Sequence, residues 1–275
     1  MEELLSHPAI QGGVAPFIIA FLISLIFVRA NLLAGFAVVA GFICLVMLAT
    51  GISFSPLTST RKLTLLVLVI PVLALLLQLS RQYTETAFKV FYVFASVGVI
   101  WILWPVISRN PGWETLFLTL SYIIYAAWMM GMFMRMSELP ASTAGIAGTA
   151  SGFAIGGCAL IGASALLGQM GIALGASAAA FLLVQLIFRS EEFADLTFTM
   201  TSGLIAALLL PMAIVFADVP WVVLPLVALI PLIAVYPFAD EDCVWKNTIY
   251  LMATAALPMG LAFYLTWQSA GALLL

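Results

Sequence analysis

Ionisable side chains are scarce in this chain: charged residues make up 8% of its 275 positions and there is a single His, where soluble domains carry about 25% charge. Asp, Glu, Lys and Arg fall at or near the ends of apolar segments, Lys89 lying nearest to an interior position. Proton relays, salt-bridged cores and voltage sensors place such groups inside the segments, so those roles are disfavoured. His7 precedes the first apolar run, and a haem would need a strong ligand within a helix. There is no HExxH motif and no carboxylate pair within a helix, and Glu191 with Glu192 has no His beside it. No catalytic residue is assigned. Cysteine is equally sparse: Cys44, Cys158 and Cys243 are far apart and form no CxxC pair, which suits small packing residues better than a metal or redox centre. The sequence predicts no metal and no cofactor. Nine basic residues against twelve acidic ones give a net charge of −3 without a polybasic block, so nucleic acid is not expected as a partner. The acidic group Asp240, Glu241 and Asp242 reads as a solvated loop.

What the chain has is apolar length. It is 65% hydrophobic with a mean hydropathy of +1.23. Backbone in lipid must satisfy its own hydrogen bonds, and strands alternating for a barrel are not visible. The expectation is an all-α, polytopic integral membrane bundle. A bilayer core of about 30 Å needs roughly 20 apolar residues per helix, which predicts ten spans near 11–29, 32–51, 61–79, 87–106, 114–135, 142–167, 170–189, 196–216, 220–237 and 247–267. Between them lie charged or turn residues: Arg29 and Asn31, Pro56 with Thr58 and Ser59, Ser80 to Thr86, Asn110 with Pro111 and Gly112, and Glu138 with Pro140. Met1 to His7 holds two Glu and no Lys or Arg, so the first apolar run is expected to be retained and not cleaved as a signal. No soluble module is expected. Connections after odd-numbered spans hold Arg29, Arg81, Lys89, Arg135, Arg189 and Lys246, and those after even-numbered spans hold Arg61, Lys62 and Arg109. The positive-inside rule then makes the odd connections cytoplasmic and puts both termini outside, in a bacterial cytoplasmic (inner) membrane.

The two halves carry the same marks in the same order. Phe54, Leu57, Thr58 and Thr60 lead into the segment holding Pro71, and Phe193, Leu196, Thr197 and Thr199 lead into the one holding Pro211. Trp104 and Pro105 precede Trp113 as Tyr236 and Pro237 precede Trp245. This predicts two five-helix repeats, 1–137 and 138–275, inverted because each holds an odd number of crossings. In helix number and halving the chain resembles the five-plus-five inverted-repeat carriers, among them the drug/metabolite exporters and the bile-acid and auxin-carrier-like folds. The resemblance covers helix count alone and assigns no binding residue.

Proline within a helix removes an amide and frees a carbonyl that must find a partner. Thus Pro71 and Pro211 are candidate substrate-site residues, with the neutral polar groups Ser121, Tyr125, Ser151 and Ser202. Thr58, Ser59 and Asp195 are placed to cap helix starts. Gly148, Gly152 and Gly156 recur at four-residue spacing, a pattern that lets helices approach closely within the chain, in a homodimer or against a partner membrane subunit. Trp104, Trp113, Trp221, Trp245 and Trp267 read as interface anchors. The expected function is a carrier moving a small neutral or weakly polar solute, or an ion-coupled one, by alternating access. The alternative is a non-catalytic membrane subunit or scaffold beside an enzyme or assembly complex. A carrier needs a polar, dead-ended cavity near mid-membrane bounded by Pro71 and Pro211, whereas a scaffold needs a filled interior and an exposed Gly/Ala groove suited to another chain.

Overall fold

The computed structural model describes residues 7–27, 33, 35–51, 55–79, 85–110, 112–188, 194–237 and 244–272. Phe54, Phe193, Arg29, Asn31, Arg81, Pro111, Arg189, Glu191, Glu192, Asp240, Glu241, Asp242 and Cys243 lie outside them, as do Ser80 to Thr84. Among the described residues there are ten α-helices and no strand: α1 (Ala15–Phe27, led by a π turn Ile10–Val14), α2 (Phe36–Ala49), α3 (Ser59–Leu79), α4 (Glu85–Ile107), α5 (Trp113–Arg135), α6 (Ala141–Ile161), α7 (Ala165–Phe188), α8 (Leu196–Phe216), α9 (Val223–Val235) and α10 (Val244–Ala272). Eight are long and apolar enough to cross a membrane, counting α1 with its π turn. The chain is an all-helical, multi-pass integral membrane protein. Helices α2 and α9, of 14 and 13 residues, span only about 20 Å at 1.5 Å per residue.

One joint between helices is displaced from its expected place. The joint between the sixth and seventh helices lies at Gly162–Ser164, not at Gly168 to Gly171. Gly162 caps α6, Ala163 turns the chain at φ 69°, and the Ser164 hydroxyl accepts from the Leu167 amide at 3.4 Å. Gly168 and Gly171 sit inside α7 because their missing side chains admit α6: a Cβ on Gly171 would lie 3.0 Å from the Gly152 carbonyl oxygen. Small-residue content mimics a loop signal when it serves packing.

Contacts at the helix termini sort the connections into two ends. At the distal end, the Gly35 amide before α2 donates to Thr197 Oγ1 at the start of α8. Also there, Ala194 N donates to the Leu139 carbonyl and Arg135 to the Tyr236 hydroxyl. At the proximal end, Ser59 and Lys62 reach the Ile102 and Trp101 carbonyls, Gly162 abuts Ala217, and Gly12 abuts Gln169. The chain therefore enters α1 at the proximal end and α6 at the distal end.

Helix α8 is the hub. It packs against α2, α3, α4, α5, α6 and α7 and is 89% buried, whereas α1 and α10 on the periphery are 22% and 28% buried. A helix with neighbours on every side needs no polar face, and apolar residues accordingly surround its whole circumference. Asp195 caps it, accepting from the Phe198 amide and the Thr197 hydroxyl, which satisfies amides that a buried helix start would otherwise strand. Thr58 caps α3 in the expected way, accepting from Arg61 N at 3.5 Å, while Ser59 turns to α4 instead.

The most extensive pairing is α6 with α7. Gly148, Gly152 and Gly156 all face α7 of the same chain: a Cβ on Gly152 would lie 2.6 Å from Gly175 Cα, and one on Gly156 would lie 2.6 Å from the Ile172 amide nitrogen. Gly157, on another face, meets Phe263 of α10. The glycine ridge is thus occupied within the fold. The five Trp named as anchors are 44% to 88% exposed and stand near helix ends.

Candidate functional site

Five of the described helices carry a proline in their interior: α3 (Pro71), α4 (Pro105), α8 (Pro211), α9 (Pro231) and α10 (Pro258). Pro105 has no amide for the Trp101 carbonyl one turn earlier and weakens the bond to Ile102 beside it. Both carbonyls are met from α3: Lys62 Nζ donates to Trp101 O at 2.7 Å and Ser59 Oγ to Ile102 O at 3.0 Å. Lys62 is only 8% exposed and its ammonium stands 5.4 Å from the Trp101 ring centroid, where the ring quadrupole favours a cation. In α9, Pro231 similarly weakens the bond to Ala228 O, which accepts from Trp128 Nε1 of α5 at 3.1 Å. The Pro105 break is thus closed by side chains of α3, and at Pro231 a neighbouring helix meets the carbonyl next to the freed one.

Pro71 and Pro211 lie deeper. Both are buried, and their helices α3 and α8 pack together. Close to Pro211 the chain provides polar atoms. Tyr125 of α5, 5% exposed, donates its hydroxyl to the Ala206 carbonyl of α8 at 3.4 Å. One turn before Ala206 along α8 is Ser202.

Ser202 belongs to a layer of hydroxyls at mid-depth. Ser151 is at the centre of α6. Gly148, one turn before it, faces Ala178 of α7 and Ser202 of α8, and Gly152 faces Gly175, so Ser151, Ser177, Thr201 and Ser202 share one level of the bundle, the Ser177 hydroxyl turned toward Gly41 of α2. All four are fully buried, and their hydroxyl oxygens have no hydrogen-bond partner among the described residues. Burying a hydroxyl unpaired costs about 1–3 kcal/mol. Serine and threonine in helices often donate to the carbonyl one turn back, as Thr149 does to Gly145 O at 2.7 Å. Ser121 also takes this route, donating to Phe117 O at 2.9 Å, and stays apart from the layer. Of the six residues named for the site, the structure thus groups Tyr125, Ser151, Ser202 and Pro211 around α8, puts Pro71 on its neighbour and leaves Ser121 on the outer part of α5.

A cleft opens at the proximal end; neither Pro71 nor Pro211, the expected bounds of a carrier cavity, lines it. It has a volume of about 380 Å³ and runs along the seam of α4, α5 and α8, lined by Leu103, Val106, Ile107 and Val215, with Asn110, Glu114, Thr115, Thr119 and Tyr122 as its polar members. From Glu114 to Tyr122 it descends two helical turns, about 12 Å. Tyr122 is 4% exposed, and its hydroxyl has no hydrogen-bond partner among the described residues. Directly beyond it, Tyr125 closes onto Ala206, and Pro211 lies between Ala206 and the cleft residue Val215 along α8. Asn110 and Glu114 do not stand out in the sequence, because at a helix boundary they are indistinguishable from ordinary turn and first-turn residues. A second groove of about 320 Å³, at the same end, is lined by Thr50, Thr58, Thr60, Thr64, Arg61 and apolar residues of α2, α3 and α7. No group of His, Cys, Asp and Glu that could hold a metal occurs among the described residues. Compared with models of known protein families and with curated protein sequences, the chain matches none.

Proposed function

We propose that this protein is a carrier moving a small solute across a bacterial cytoplasmic membrane by alternating access, with both termini outside. In this reading all ten helices cross, α2 and α9 as short spans, and residues 1–137 and 138–275 are inverted repeats. The observation that carries it is the alignment of the proximal cleft, the Tyr125–Ala206 closure and the unpaired hydroxyl layer along one helix broken by Pro211. A path that begins polar, narrows at one contact and meets unsatisfied hydroxyls is what a gated solute route requires. Support for the repeat is the division into five helices on each side and the opposite ends at which α1 and α6 begin; the short helix stands second in one half and fourth in the other. Hydroxyls and a kinked backbone suit a neutral solute or a monovalent cation, not an anion held by ionised side chains. The scaffold reading rests on the small-residue ridge, and α7 already covers that ridge.

The test is cysteine accessibility in vesicles of known orientation. In a background lacking Cys44, Cys158 and Cys243, Thr119→Cys in the cleft wall and Ser202→Cys at mid-depth are probed with small membrane-impermeant thiol reagents. Alternating access predicts Thr119→Cys labelling from the proximal side alone and slow Ser202→Cys labelling from both sides. Complete protection of Ser202→Cys from either side refutes the carrier.

A further inference from the structure

We infer that the cleft between α4, α5 and α8 binds a small organic amine, its ammonium at Glu114 and a hydrogen-bonding group at Tyr122. The inference names a ligand class for the outer part of the proposed route and so rests on that reading. Among the described lining residues Glu114 carries the only formal charge, and none is Lys, Arg or His. Asn110 and Thr115 stand beside it at the mouth with oxygens able to accept from an ammonium, and Thr119 lies one turn further in. Thr119 already gives its own proton to the Thr115 carbonyl at 2.7 Å, so its oxygen faces a ligand as an acceptor. Between mouth and floor the walls are apolar apart from Thr119: Leu103, Val106, Ile107, Leu118 and Val215. At the floor the hydroxyl of the buried Tyr122 side chain has no partner of its own among the described residues.

The arrangement is therefore charged, then greasy, then hydrogen-bonding over about 12 Å. A carboxylate at the mouth favours a cation through a charge-assisted bond, and the oily waist favours methylene over a second charge. An inorganic cation would match the carboxylate but leave the waist and Tyr122 unused. A primary amine with an aliphatic spacer and a terminal hydroxyl matches all three parts, and the hydroxyl layer below is compatible with its passage. The cleft volume agrees, because small-molecule sites run from about 300 to 1,000 Å³.

The experiment compares 6-amino-1-hexanol with 1,6-hexanediol, its neutral counterpart of equal length, by calorimetry on the full chain in nanodiscs of neutral lipid. The amine is expected to bind about tenfold more tightly than the diol, equivalent to about 1.4 kcal/mol, with the advantage shrinking as salt rises. Glu114→Gln should abolish the difference between the two, and Tyr122→Phe should weaken both alike. Glu114 is exposed and its replacement leaves the core untouched; Glu114→Asp, which keeps the charge, should retain the preference. Equal binding of the two compounds, or an amine preference that survives Glu114→Gln, overturns the inference. Charge-selective binding without Ser202→Cys accessibility would uphold the amine site and refute the carrier, so the two failures are separable.

Discussion

Lys62 is held to α4 by a defect that Pro105 creates, and the link between them is measurable as a coupling. Replacing Lys62 with Met keeps most of the buried stem but removes the donor to Trp101 O and the cation over the ring. Stranding a buried carbonyl costs about 1–3 kcal/mol, and the cation–π contact adds about 0.5–2 kcal/mol. Lys62→Met should therefore destabilise the protein by about 2–4 kcal/mol. Pro105→Ala restores an amide within reach of the same carbonyl, so in that background the lysine has less to do. The double variant should be more stable than the sum of the single effects predicts by about 1–2 kcal/mol. Reversible unfolding in mixed micelles by denaturing detergent, with the four proteins measured in parallel, gives the coupling energy. Strict additivity would refute the assignment of Lys62 as the partner of the freed carbonyl.

Glycine substitutions should divide by position. Gly152→Ala forces a Cβ against Gly175 and should cost at least about 2 kcal/mol as overpacking, while Gly260→Ala, with nothing within 4 Å of the added atom, should be neutral or stabilise by up to about 1 kcal/mol; the same micelle unfolding assay decides, and equal effects contradict the α6–α7 interface. Asp195→Ala removes the cap of α8 and the link that orients Thr197 toward Gly35, and should lower stability by about 1–2 kcal/mol. Limited proteolysis at the distal end should accelerate in that variant, and unchanged stability would show that the cap is dispensable.

The helices are legible in the sequence because lipid demands long apolar segments between charged or turn-forming breaks. The eighth span, 196–216, matches α8, and α5 begins one residue before its predicted start. Helices α2 and α9 fall short of the predicted spans since hydropathy does not register where backbone regularity ends. The α6–α7 joint lies away from its expected place because Gly168 and Gly171 look like turn residues when their neighbours in space are unknown. The site is legible only in part. Proline and hydroxyl positions point to Pro211, Tyr125, Ser151 and Ser202, which converge on α8. Nothing local sets Ser121 apart from Ser202, because the distinction is whether the hydroxyl bonds its own helix. Lys62 reads as a charge marking a helix end, and its pairing with a carbonyl on another helix depends on distances no linear pattern encodes.

The backbone-to-backbone seam of α6 and α7 has a mechanical consequence. Gly152 and Gly156 receive the main chain opposite them, so a slip by one residue would drive Ala173 or Ala176 into a notch shaped for no side chain. The pair can shift only by a whole helical pitch, about 5.4 Å, or not at all, and it moves as one stiff plate. In the proposed carrier, deformation falls to the proline-containing α3, α4 and α8, so opening the cleft would mean bending these against a fixed anvil.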